Sequence, residues 1–124
     1  MAERRFSARA VVDCTPEQAF DWVSDYRHAP SVLEGVTRWE PVGFKTRGAG
    51  ARFDVEMRAL GFPIGNRLVM DTWERPHALA WHSESGLIDQ QGGWSFRPRG
   101  ERTEVTLAIV YRPPAGQVGS MLAS

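Results

Sequence analysis

The residues best able to do chemistry here are six aromatics and two thioethers. Trp39, Phe53, Trp81, Trp94, Phe96 and Tyr111 fall on the same parity faces of alternating segments as Met57 and Met70. Val55, Leu68, Leu107 and Ile109 share those faces, and the twelve together are the expected ligand contacts. Their chemistry is burial. An apolar wall with a few polar groups takes an apolar compound out of water, and methionine lets the wall adapt to its shape. The plainer reading of any one of these residues is a packed core position. Thr72, Ser83 and the Tyr111 hydroxyl are the polar groups expected on the inner side. A buried phenol needs a partner, and a structural carbonyl is expected for Tyr111 ahead of a ligand oxygen.

Signs of covalent or acid–base chemistry are few. The chain has no Gly-x-Ser-x-Gly and no Cys-x-x-Cys. Gly48-Ala-Gly50 lacks the third glycine of a dinucleotide fingerprint, position 53 being Phe, and it precedes a strand pattern instead of a helix. His82 and Glu84 stand two apart on one strand face, without further ligands at metal-binding spacing, and read as a solvent-facing pair. His77 follows Pro76 in a turn and is expected at the surface. Asp71 and Arg67 fall on the outer parity, so no carboxylate or histidine is expected where it could exchange protons with a bound substrate. Catalytic residues are not identified, and no metal or cofactor is expected.

The element that organises the rest is Ala51 to Ala59. Ala51, Phe53, Val55, Met57 and Ala59 alternate with Arg52, Asp54, Glu56 and Arg58, giving a strand with one dry and one wet face. Burying a Phe, Val or Met stabilises by about 1.5–3 kcal/mol, so a one-residue slip in register would lose several such terms. Before it, Phe6, Ala8, Ala10, Val12 and Cys14 mark a first strand. Thr15-Pro16-Glu17-Gln18 then opens a helix with a cap, a first-turn proline and a capping box. That helix should carry Ala19, Phe20 and Val23 inward, with Trp22 and Tyr26 as a flanking pair and Asp21, Ser24 and Asp25 in water. Pro30 should end or kink it, with a short helical turn over Ser31 to Glu34.

Further strands are expected over Val36–Val42, Arg67–Trp73, Leu79–Ser83, Leu87–Arg97 and Thr103–Arg112, joined by short turns. That makes about seven, with neighbours antiparallel. Leu60 to Gly65 is an unusually apolar turn, read either as a gate at a cavity mouth or partner contact, or as a plain hairpin tip. The pair Gly92-Gly93 could take a bulge that reverses the faces beside it. Ala115 to Ser124 carries Val118, Met121 and Leu122 at helical spacing.

Composition narrows the class. A chain of 124 residues is one domain. Fifteen basic and fifteen acidic residues cancel, which leaves no footprint for nucleic acid. Cys14 is alone, so no internal disulfide forms and a reducing cytoplasm is expected. No apolar run reaches the roughly 18–20 residues of a membrane span, and charges break up the N-terminus, so no signal peptide is read.

Several stretches carry a family resemblance. They are Val12-Asp-Cys-Thr-Pro-Glu-Gln-Ala-Phe20, Trp39-Glu-Pro-Val-Gly43, Gly50-Ala-Arg-Phe53, Trp73-Glu-Arg-Pro76, Gly93-Trp-Ser-Phe96 and Gly100-Glu-Arg-Thr-Glu-Val105. In order and spacing the chain resembles the START-like helix-grip (SRPBCC) superfamily, in its polyketide cyclase/dehydrase or coenzyme Q-binding-like branch. The resemblance implies an α+β helix-grip domain over residues 1–124. Its parts would be a curved antiparallel sheet of about seven strands, short helices after the first strand, and a C-terminal helix. Members close the cavity with a long C-terminal helix, of which about ten residues are expected here, so this helix is read as truncated. An uncovered dry face would favour a homo-oligomer. The function implied is binding or transport of a hydrophobic small molecule, such as a lipid, a quinone or a polyketide-like compound. The alternatives are a polyketide cyclase or dehydratase and a protein-interaction module.

Overall fold

In the computed structural model, which describes residues 3–59, 61–86 and 88–112, seven strands form one antiparallel sheet. They are β1 (Arg4–Val12), β2 (Val36–Pro41), β3 (Arg52–Ala59), β4 (Phe62–Glu74), β5 (Ala78–Gly86), β6 (Asp89–Arg99) and β7 (Arg102–Arg112). Their order across the sheet is β1-β7-β6-β5-β4-β3-β2. Two short helices, α1 (Pro16–Val23) and α2 (Ala29–Val32), lie between β1 and β2 with a 3-10 turn over Tyr26–His28. The sheet curls into a half-barrel around them, the α+β helix-grip arrangement. The expected helix over 115–124 lies outside the described residues, as does Leu87 at the start of one expected strand.

The helix start forms as its local chemistry dictates. The Thr15 side chain accepts from the Gln18 amide, the Gln18 side chain accepts from the Thr15 amide, and Pro16 opens the first turn. Ala19 and Phe20 are buried, and Phe20 sits edge-on to Phe96 and Trp73. Beyond that turn the expectations need correcting. Ser24 is buried at the helix C-cap, where its hydroxyl donates to the Asp21 carbonyl. Trp22 stacks on His28, at 4.0 Å between ring centroids, while Tyr26 leans towards Phe53. Pro30 starts a helix instead of ending one: α1 has stopped at Val23, and Pro30 occupies the first turn of α2, where its missing N–H costs nothing.

The organising strand holds its register. Ala51, Phe53 and Val55 are buried, and Arg52 and Arg58 are exposed. The apolar turn after it is tighter than expected. Ala59 pairs with Phe62, and Phe62 to Gly65 already belong to β4. Gly61 takes a positive φ of 80° there, a conformation that suits glycine. Phe62 is exposed and Ile64 is buried, and neither borders the cavity described below.

A bulge in β4 overturns another expectation. Met70 pairs with Trp81 but Thr72 pairs with Ala80, so Asp71 is the extra residue. From that point the faces of β4 exchange. Thr72 leaves the inner side, its hydroxyl donating to Asp71, and Trp73 takes its place against Phe20. The Gly92-Gly93 pair, by contrast, stays in register with Trp81 and Ala80.

Candidate functional site

Register places the inner residues in rows that cross the sheet. Phe6, Ile109, Gly92, Trp81 and Met70 form one row, and Ala8, Leu107, Trp94 and Leu79 form the next towards α1. Tyr111 and Gln90 pair in the row on the other side. Where Phe20 meets Phe96 and Trp73, the space between helix and sheet is filled. Towards Tyr111 it opens into a cavity of about 1000 Å³.

Eight of the twelve expected contacts line this cavity: Trp39, Val55, Met57, Trp81, Trp94, Leu107, Ile109 and Tyr111. Phe53 and Met70 border a neighbouring void of about 30 Å³, too small for a ligand of any size. Leu68 and Phe96 border neither space. They are buried in the packed core, and Phe20 from α1 covers Phe96. Parity assigns a face correctly in these cases, but it is silent about which part of that face the helix covers.

The cavity has walls beyond the expected set. Phe6, Ala8, Ala10 and Val12 of β1 line it, as do Ala19, Trp22 and Val23 of α1 and Val32 and Leu33 at α2. The alternation of β1 was the available signal, since its dry face had to meet something. Gln90 was missed as well. It is buried, borders the cavity, and its side-chain amide lies 3.8 Å from the Met57 sulfur. It shares parity with Trp94 and Phe96 through Gly92, so the sequence held that signal once the glycine pair was known to stay in register.

Polar groups at the rim are engaged elsewhere or exposed. Asp13 pairs with Arg102 at 2.6 Å, and Gln18 is committed to the capping box. Arg9 and Glu34 are exposed on the border. Of the expected inner polar groups, Ser83 does not reach the cavity. Its hydroxyl donates to Asp89 and accepts from the Gln90 amide. The Tyr111 hydroxyl has no structural carbonyl as partner among the described residues, contrary to expectation. Burial pushes its pKa up, which keeps the phenol a neutral donor. His82 pairs with Asp71 at 2.8 Å and Glu84 with Arg52 at 2.6 Å, all on the outer face.

Trp81 is a wall residue with a constrained seat. It is 2% exposed and meets Trp39 edge-on at 5.7 Å. A Cβ on Gly92 would lie 2.5 Å from its Cζ2 and 2.8 Å from its Cε2, so only glycine leaves room for the indole against β6. Its Nε1–H is buried and, among the described residues, has no acceptor.

Residues 3–124 match the family model described as polyketide cyclase / dehydrase and lipid transport. The chain belongs to that family. No curated protein matches it. Among solved structures it is similar to TTHA0849 from Thermus thermophilus, with a TM-score of 0.80 at 23% identity, covering 97% of this chain and 82% of that one. It is also similar to the Zhui aromatase/cyclase from Streptomyces sp. R1128, with a TM-score of 0.75 at 15% identity over 98% and 77% of the two chains. A START superfamily protein from Mycobacterium smegmatis matches with a TM-score of 0.74 at 14% identity, over 94% and 82%. At these identities the likeness is one of fold. Family and fold together support hydrophobic ligand binding in general. No helix among the described residues is long and apolar enough to cross a membrane.

Proposed function

We propose that this protein binds or carries a hydrophobic small molecule in the cavity between its sheet and helices. The observation that carries the reading is the unfilled space of about 1000 Å³, walled largely by apolar and aromatic side chains. That volume is at the upper end of what small-molecule sites occupy, and a few polar groups in an apolar wall are their usual composition. The family's description names lipid transport beside cyclase and dehydrase chemistry. Binding is favoured over turnover because the bordering carboxylates, Asp13 and Glu34, are exposed at the rim, and Asp13 is held by Arg102. Proton exchange with a buried substrate needs a group within hydrogen-bond reach of it. A lipid, a quinone or a polyketide-like compound would each suit the wall, and the protein would act in the cytoplasm.

Native mass spectrometry of protein purified from its own host tests this reading. An added mass that persists in the folded protein and leaves on denaturation is the expected result, and it identifies the compound. Absence of any added mass, with no thermal stabilisation by lipids, quinones or aromatic polyketides, would overturn it.

A further inference from the structure

The sheet ends in two edge strands, β1 and β2, and they are finished differently. β2 is six residues long, shifts register between Val36 and Arg38, and ends on Pro41, which has no N–H to offer. A short edge, a bulge and a proline are common means of keeping an edge from taking on another strand. β1 has none of them. All nine of its residues, Arg4 to Val12, pair with β7 without a break, and neither proline nor glycine interrupts them. Its other side has no strand partner among the described residues, and Arg4 to Ala10 are exposed.

Charge is the guard that β1 does carry: Arg4, Arg5 and Arg9, with no acid among them. That guard works only against a strand that sets cations opposite these three. For two copies of β1 meeting antiparallel about a two-fold axis, the position of the axis decides the matter. An axis at Ser7 sets Arg5 opposite Arg9 of the other copy, twice, and like charges directly opposite are destabilising. An axis at Ala8 sets Arg5 opposite Val11 and Arg9 opposite Ser7, with no ion pair. An axis at Phe6 sets Glu3 opposite Arg9, twice, with Arg5 opposite Ser7 and Arg4 opposite Ala8. The half-exposed Phe6 then meets its own counterpart. Glu3 also holds Arg5 at 2.8 Å and Arg112 at 3.1 Å, while Arg9 reaches Glu104 only at 3.9 Å and its side chain is 69% exposed.

We propose that β1 is a self-association edge, joining two copies of this chain antiparallel with Phe6 on the two-fold axis and Glu3 of each copy opposite Arg9 of the other. The axis stands perpendicular to the sheet, so both concave faces lie on the same side of one continuous sheet. Phe6 and Ala8, which line the cavity, stand at the joint, and the cavities of the two copies are neighbours there.

Light scattering across a range of concentrations tests this. The mass of the wild type should rise from that of one chain to that of two. Arg9→Glu puts like charges opposite at both places, and so does Glu3→Arg, so each variant alone should dimerise about tenfold or more weakly. Mixed in equal amounts, the two variants restore opposite charges at both places and should form a heterodimer of near wild-type affinity. Both positions are exposed, and thermal melting checks that each variant is folded. A cross-link reads the axis directly. In a Cys14→Ser background, Phe6→Cys should join to its own counterpart on mild oxidation, whereas Ala10→Cys should not, because its counterpart lies far along the strand. A wild type that stays monomeric at every concentration would overturn the proposal, as would a dimer indifferent to both charge changes. A mixture no more associated than its components, or cross-linking through Ala10→Cys instead of Phe6→Cys, would overturn the arrangement proposed. These readouts follow mass alone, so a cavity that binds nothing would leave the self-association standing.

Discussion

The two ends of the concave face have the same kind of surface and opposite fates. At one end Phe20, reaching down from α1, meets Phe96 and Trp73 edge-on and the core closes. At the other end Phe6, Ile109 and Tyr111 present side chains as apolar, yet about 1000 Å³ lies open beside them. Strand sequence alone does not distinguish the ends. Among the described residues, what differs is the cover: α1 runs from Pro16 to Val23, and its buried Phe20 fills one end while Ala19 borders the cavity. Among the described residues, the cavity is thus set less by the sheet than by how far the short helices reach over it.

Substitutions that treat the two ends as equivalent should break this comparison. The largest effect is expected at the closed end, where Phe96→Ala should cost about 3–5 kcal/mol in urea unfolding. Ile109→Ala at the open end should cost about 2 kcal/mol, near the bottom of the range for such truncations, because that side chain already faces a void. Equal losses would mean that the open end is packed in solution.

Enlargement should invert the ranking. Leu68→Trp inserts bulk into a fully buried position and should lose about 1–3 kcal/mol or more. Ile109→Trp has room to grow into and should stay within about 1 kcal/mol of the wild type, while abolishing binding of an apolar probe followed by fluorescence. Gly92→Ala sharpens the contrast in one methyl group. The collision with Trp81 should lower stability by about 1–3 kcal/mol and weaken probe binding in the same protein.

The smallest effect is expected on the outer face, where nothing is enclosed. The hydrogen bond and charge of Arg67 hold the Asp54 carboxyl below the usual carboxylate range. A depressed folded-state pKa contributes stability above the unfolded pKa, and that contribution disappears as pH falls through the folded value. Asp54→Asn should therefore differ slightly from the wild type near neutral pH, converge with it in acid, and differ less in high salt. A difference that persisted in acid would assign Asp54 another role.

Local features of the fold were the legible ones. The Thr15 capping box and the alternation of β3 and β7 depend on residues close in sequence, and each appears as read. Features set by a distant partner were not. The Asp71 bulge depends on how β5 pairs with β4, and it exchanged Thr72 for Trp73 on the inner face. Gln90 stayed hidden because its face hinged on whether two glycines kept register with Trp81 and Ala80. For the site, parity found the wall and could not find the plug. Phe96 looked no different from Leu107 and Trp94 until α1 was in place.

The order of strands has a consequence for how the molecule is made. β2 to β7 follow one another across the sheet as a meander, each able to zip onto the strand just before it. β1 instead pairs with β7, Arg4 opposite Tyr111, at a sequence separation that makes this the slowest pairing to close. A chain emerging from the ribosome therefore carries β1 without its partner until almost everything else exists. Within the described sheet, the pairing that joins the strands of Phe6 and Tyr111 is the last to become possible, and an apolar compound present at that moment would meet a wall still open on one side.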